Sequence, residues 1–282
     1  MNATCIETTF DLPGISIAAK VWGKPSGIPT LALHGWLDNA ASFDHIAPLL
    51  PDLYLIAIDL PGHGKSSHYA PESQVHFIDF VINIIKLANH LNWDKFALLG
   101  HSLGAAIAST LAGTIPDRIT HVGIIDGLGP MTTPAEHAPM QLRLFCQEAL
   151  NKKSTETTYM NIEQPIRSRL YVNQMQESSA RIIIERSLEK RSDGLWQWRT
   201  DPRLLKPSAL HLTEAHAIAF LKEITAPITV IRPEPGFPFP EEIIQRRIKA
   251  IPHLHIEKIP GHHHVHLDDP ESVAKIFNRF FS

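Results

Sequence analysis

Short apolar runs alternate along this chain with stretches of helical periodicity, the pattern of a parallel sheet covered by helices. Residues 15–21, 30–33, 53–58, 96–99, 119–125, 228–231 and 254–259 are predicted as strands. Residues 73–91 are predicted as a long helix whose polar positions Asp79, Asn83, Lys86 and His90 recur at steps of four, three and four, leaving a wide apolar face. A helix of small residues opens at Leu103 and continues through Gly104, Ala105, Ala106 and Ala108, slim enough to lie close against a sheet. Residues 241–251 place acids first and Arg246, Arg247 and Lys249 late, an order that suits the helix dipole. The closing helix carries Val273, Ile276, Phe277, Phe280 and Phe281 on one face.

Between Asp126 and Ile228 this rhythm breaks. Residues 141–150 and 179–190 look helical, and no stretch there reads as a well-buried strand. No Gly/Ser-rich or Pro-rich spacer marks a linker to a second domain. Residues 129–211 are therefore predicted as a helical cap inserted into one α/β core made of residues 1–128 and 212–282.

Composition narrows the class. A chain of 282 residues can bury roughly three quarters of its unfolded surface, and 44% hydrophobic with 20% charged residues describes a globular protein. A net charge of -3 gives no electrostatic reason for nucleic acid or anionic lipid as a partner. The two cysteines, Cys5 and Cys146, cannot form a disulfide framework and are expected to be buried or unreactive thiols in a reducing compartment. The leading residues show no basic and apolar signal regions, and no apolar run is long enough to span a bilayer. The expected location is cytoplasmic, without stable membrane insertion.

The chemistry concentrates in two places. Gly100-His101-Ser102-Leu103-Gly104 is a G-x-S-x-G set directly between a predicted strand and a predicted helix, the context that gives the motif meaning. The turn is so tight that its flanks must be nearly free of side chain. Ser102 would then be held exposed, with the first amides of the new helix facing any oxygen that becomes negative there. A serine nucleophile needs a base, and the base needs a third group to orient it. Gly261-His262-His263-His264-Val265-His266-Leu267-Asp268-Asp269-Pro270 lies between the last strand and the last helix, where a loop histidine can reach the serine. Metal ligation by this cluster has no accompanying HExxH or CxxC, and the serine already accounts for one of its histidines.

With His34-Gly35-Trp36, Asp59 to Ser66, the Ser102 turn and the histidine loop together, the chain resembles the α/β-hydrolase superfamily over nearly its whole length. It looks most like its capped, lipase- and esterase-like serine hydrolases, including serine hydrolase-like proteins. The resemblance implies a mostly parallel eight-stranded sheet with helices on both faces and the cap after the sixth strand. Aligning Leu267, Asp268 and Pro270 with the family's loop puts the catalytic histidine on His263, with His262 and His264 as alternatives. His266 is expected to pack or bond within the loop. The family's usual acid position falls on Gly236; the acid is then Asp126, which ends its strand, or Glu234. The oxyanion hole is expected from the amides of Leu103 and Trp36. His34 and His101 are read as supports of their loops, residues 59–66 as a structural turn, and Trp198 as a substrate contact or cap packing residue. Met131, Met140, Leu144 and Phe145 favour an apolar substrate arm.

The resemblance implies hydrolysis of a small or medium ester-type carbonyl compound through an acyl-enzyme on Ser102, without metal or organic cofactor. A carbon–carbon bond hydrolase, a perhydrolase or a non-catalytic ligand-binding member of the fold are the alternatives. Ser102 argues against the dehalogenases and epoxide hydrolases, which use an aspartate nucleophile.

Overall fold

The computed structural model describes residues 5–150 and 157–282, so the first residues of the leading segment lie outside it. Strands β1 (Ile6–Leu12), β2 (Ile15–Trp22), β3 (Ile28–Leu33), β4 (Leu53–Ile58), β5 (Phe96–His101) and β6 (Ile119–Ile125) form the first part of the sheet. The chain then builds three short strands elsewhere, β7 (Thr158–Tyr159), β8 (Leu188–Lys190) and β9 (Trp196–Trp198), and returns with β10 (Ile228–Pro235) and β11 (Leu254–Gly261). The main sheet has eight strands in the order β1-β2-β4-β3-β5-β6-β10-β11. In this sheet β2 runs antiparallel to β1 and β4, while β3, β4, β5, β6, β10 and β11 are mutually parallel.

The central strands are apolar throughout because both faces are covered. Alternate residues go to opposite faces: Leu31, Leu33, Ile56 and Ile58 join one buried cluster, while Ala32, Leu55 and Ala57 join the other. The first face receives α1 (Phe77–His90) and α2 (Leu103–Thr114), the second the closing helix, whose apolar stripe Val273, Ile276, Phe277 and Phe281 is buried. In α1 the polar stripe is not wholly at the surface: Asn83 is buried and donates to Tyr69 Oη (3.0 Å), while Ile78 and Ile82 are exposed. In α2 the small residues are buried, and Ser109 and Thr110 satisfy their hydroxyls on the carbonyls of Ala105 and Ala106 (2.5 and 2.8 Å).

Strand β1 was not anticipated. Most of its side chains are exposed or half-exposed, so a sheet-edge strand carries little apolar signal. The insertion also differs from an all-helical one. It holds α3 (Ala138–Leu150), α4 (Glu163–Val172) and α5 (Glu177–Ser187), and in addition β7, β9 and β8 pair antiparallel as a small sheet. These strands are two or three residues long, too short for a period-two pattern to stand out. Ile166, Ala180, Ile184 and Leu188 make the insertion's own buried cluster. Its two ends meet at a bridge between Thr132 and Leu212, and the chain leaves and re-enters the main sheet at the neighbouring strands β6 and β10.

After the insertion come α6 (Glu214–Lys222), α7 (Glu241–Lys249), the short α8 (Val265–Asp268) and α9 (Pro270–Phe281). Both cysteines are free, and they are exposed rather than buried. No helix among the described residues is long and apolar enough to cross a membrane.

Candidate active site

Trp36, Ser102, Leu103, Asp126 and His263 follow the carboxyl ends of the parallel strands β3, β5, β6 and β11, where open α/β sheets place ligand sites. Strand β5 is buried along its whole length and delivers Ser102 between itself and α2. Ser102 has φ 52° and ψ -111°, a conformation that L-residues adopt only when the surroundings impose it. Those surroundings are backbone. A Cβ on Gly100 would stand 2.5 Å from Gly104 O, and one on Gly104 would stand 1.8 Å from Leu33 O. Ser102 N–H donates to Ile125 O (3.2 Å) and its carbonyl accepts from Ala106 N–H (3.0 Å), which ties the turn to β6 and starts the helix. Leu103 opens α2, where the first amides have no partner within the helix and the dipole is positive.

Strand β6 ends beside it at Asp126, which also has positive φ (45°). Its Oδ2 accepts from Phe237 N–H (2.7 Å) and from His263 Nδ1 (2.6 Å). With the Nδ1 proton committed to the carboxylate, the lone pair of His263 is left on Nε2, the tautomer a general base needs. Of the three candidate histidines, His263 is the one that meets a candidate carboxylate. His262 contributes its carbonyl to Val265 N–H (3.0 Å), and His264 turns to Asp38. The His263 ring lies between His101 (centroids 4.6 Å apart) and Phe237 (5.1 Å). Among the described residues Ser102 Oγ is not hydrogen-bonded to His263, which donates from Nδ1 to Asp126 and accepts at its carbonyl from His101. Catalytic hydrogen bonds commonly shorten only when substrate binds.

Glu234 is placed differently. It is exposed, and its carboxylate pairs with Lys258 Nζ (2.7 Å). At position 236 a Cβ would stand 2.5 Å from Pro233 O and 3.1 Å from Asp126 Oδ1. The Asp126 carboxylate thus lies against the backbone position from which the family's usual aspartate would project.

Beneath this pair lies a buried polar layer. His34 Nδ1 donates to Gly35 O (2.7 Å) while its Nε2 accepts from Leu60 N–H (2.9 Å); burial, with the neighbouring His63 next, pushes its pKa down to about 3. His101 Nε2 donates to His263 O (2.8 Å), and burial, then the nearby His263, lowers its pKa to about 4. Both stay neutral at pH 7 and hold backbone, in keeping with loop support. His266 bonds Ser42 Oγ (2.8 Å) outside its own loop and stacks its ring on His264 within it (centroids 6.1 Å apart), and burial holds its pKa well below the usual value. Asp38 is fully buried. Burial alone would raise its pKa, but Arg169 and then His264 and His101 hold it well below the carboxylate range.

Asp38, His101 and His264 offer ligand atoms within 4.8 Å of one another. The Arg169 guanidinium, however, bonds Asp38 Oδ1 and lies 3.1 Å from His264 Nε2, supplying the positive charge that a cation would bring. The buried Asp38 carboxylate is thus neutralised by a side chain of the chain itself.

Trp36 lies in the loop after β3, half exposed at 54%, with its indole donating to Leu204 O (3.3 Å). A Cβ on the preceding Gly35 would stand 3.0 Å from His101 Nδ1, so this loop is pressed against the Ser102 turn. Trp198 packs on the insertion's apolar cluster and donates to Tyr159 Oη (3.1 Å). Met131, Met140 and Leu144 are exposed, and Phe145 is half-buried against His76. In the turn 59–66, Asp59 accepts from Ala40 N–H, Lys65 N–H and Arg186 Nε (2.7, 2.7 and 2.9 Å), which makes it a structural knot. Asp38, Arg169 and Phe237 were not singled out from sequence. Each acts across more than a hundred positions, and no local pattern marks such a residue.

The alpha/beta hydrolase fold family model matches residues 29–270. A probable serine hydrolase of Drosophila melanogaster is 34% identical, with 97% of this chain and 87% of that protein covered. A serine hydrolase-like protein of Dictyostelium discoideum is 31% identical over 93% of this chain and 77% of its own length. Among solved structures, a hypothetical protein of Pseudomonas aeruginosa superimposes with a TM-score of 0.92 at 37% identity, covering 98% of this chain and 99% of the other.

Proposed function

Since the chain belongs to the alpha/beta hydrolase fold family, we propose that it is a serine hydrolase that cleaves a small or medium ester-type carbonyl substrate through an acyl-enzyme on Ser102. The observation that carries this reading is the 2.6 Å contact of His263 Nδ1 with Asp126 Oδ2 at the strand ends that also hold the positive-φ Ser102. His263 Nε2 takes the Ser102 proton as Oγ attacks the carbonyl carbon, and Asp126 stabilises the imidazolium. The oxyanion is received by the amides of Leu103 and Trp36, each worth about 3–4 kcal/mol of barrier. The imidazolium returns its proton to the leaving alkoxide, the acyl-enzyme remains on Ser102, and water repeats the cycle with His263 again as base. Residues 129–211 act as a cap whose apolar side chains receive the acyl or alcohol arm.

A fluorophosphonate probe tests the serine. Stoichiometric labelling lost in Ser102→Ala is expected; an inert Ser102 in folded protein overturns the reading in favour of a non-catalytic binder. A series of p-nitrophenyl esters of increasing chain length then measures the acyl pocket directly, and no turnover of any member would refute the ester assignment.

A further inference from the structure

Three of the four non-glycine residues with positive φ among the described residues meet at this site: Ser102, Asp126 and Leu37 (φ 60°). The first two are explained by the turns they make. Leu37 is not, because a bulky residue gains nothing locally from a left-handed conformation, and something outside the loop must hold it there. That loop is the one carrying Trp36. Its turn is closed by Asp38 N–H on Gly35 O (3.1 Å), and its outer side is gripped by the insertion. Arg169 of α4 donates through Nη1 to Leu37 O (3.4 Å) and through Nη2 to Asp38 Oδ1. The same Nη2 lies 3.1 Å from His264 Nε2, the residue after His263.

One side chain of the insertion therefore touches both loops of the candidate machinery. It is 12% exposed, and its partners Asp38 and His264 are 1% and 3% exposed. His264 Nε2 also stands 3.2 Å from Asp38 Oδ2. One imidazole nitrogen can donate to the carboxylate or accept from the guanidinium, but not both, so the three groups are coupled and moving one re-sorts the others. Neighbouring contacts reinforce the seat: Asn39 Nδ2 donates to Ile183 O and Ser187 Oγ of α5 (2.7 and 2.9 Å), and Ser179 Oγ to Asp268 Oδ1 (2.6 Å).

We propose that Arg169 is a positioning residue: from the insertion it clamps the Leu37–Asp38 turn to the His263–His264 segment, so that the Trp36 amide and the His263 imidazole are aligned only while the insertion is seated. The inference rests on the serine hydrolase reading for its catalytic consequence. Its structural half, the clamp between two loops, stands apart from that reading. Arg169 touches no reacting atom; it acts through the loops that do.

The test compares Arg169→Met and Arg169→Lys with Arg181→Met, which removes ion pairs to Glu163 and Glu177 within the insertion and touches neither loop. Ester hydrolysis, fluorophosphonate labelling and backbone amide exchange are followed on the full chain. A misplacement near 1 Å at the reacting groups lowers turnover by about 100-fold. Arg169→Met is accordingly expected to lose tens-fold to about 100-fold in kcat with KM within about threefold, and to exchange faster at residues 35–39 and 262–266. Lysine, which can keep one of the three contacts, restores part of kcat. Arg181→Met stays near the wild type. An active wild type with unchanged kcat in Arg169→Met, or a change in KM alone, overturns the proposal. If the wild type itself fails to label at Ser102, the serine reading falls, and exchange decides the clamp: faster exchange in both loops upholds it, unchanged exchange overturns it.

Discussion

Replacing Asp126 by asparagine removes one charge and almost no volume, so it isolates what the carboxylate does for His263. The amide oxygen can keep both bonds now made by Oδ2, from Phe237 N–H at 2.7 Å and His263 Nδ1–H at 2.6 Å. The opposite rotamer would set an NH₂ against two donors. Geometry is thus largely retained while the imidazolium formed during attack loses its counter-charge. With charge centres roughly 4 Å apart and an effective dielectric near 20, that attraction is about 4 kcal/mol, or roughly a factor of 10³ in rate. Any imidazole trapped in the wrong tautomer adds to the loss, toward the ~10⁴ typical of an Asp-to-Asn change in a Ser-His-Asp triad. Steady-state hydrolysis of p-nitrophenyl acetate and the rate of fluorophosphonate labelling read the effect, with a thermal melt showing that the variant is folded. Glu234→Gln is the companion variant, and it should leave kcat within about twofold because Glu234 only pairs with Lys258 at the surface. The reasoning fails if Asp126→Asn keeps more than about a third of wild-type kcat, or if Glu234→Gln falls more than about tenfold.

Other outcomes follow from the same geometry. Gly104→Ala would put a Cβ 1.8 Å from Leu33 O, and since backbone cannot step aside it should destabilise by about 3 kcal/mol; an unchanged Tm would contradict the close approach. Adding Gly236→Asp to Asp126→Asn should not restore kcat, because the new Cβ would meet Pro233 O at 2.5 Å at a residue with φ 54°; recovered activity would show that β10 can supply the acid after all. Burial foremost lowers the pKa of His34 to about 3 and of His101 to about 4, and lowers those of His63 and His266 as well. Between these values and the unfolded value near 6.5 the unfolded chain binds more protons, so stability should fall as pH drops from about 6.5 toward 4. A Tm that stays flat across that range would refute it. A chelator should leave Ser102 labelling unchanged, since Arg169 occupies the cluster of Asp38, His101 and His264; a loss reversed by added zinc would overturn that reading.

How much could be read in advance depended on how local each signal is. The Ser102 turn is written in five consecutive residues, because glycine on either side is the condition for a strand to enter a helix so abruptly. The strands of the sheet's interior are legible for a similar reason: two covered faces demand unbroken apolar runs. Strand β1 escaped notice because an edge strand with most of its side chains toward solvent satisfies no such demand. The insertion's β7, β8 and β9 escaped because two or three residues show no period.

What the chain's order alone settles is therefore the kind of scaffold and the place of the hydroxyl, both consequences of short-range sterics and burial. What only the packed molecule settles is partnership. Asp126 is set beside His263 because β6 and β10 pair in register, with Asp126 N–H on Ile231 O at 2.9 Å, and because β10 carries Phe237 to the same carboxylate. Arg169 reaches Asp38 across 131 positions. Contacts of that span are fixed by how whole elements stack, and a side chain bears no mark of a neighbour that arrives only when the sheet and the insertion close around it.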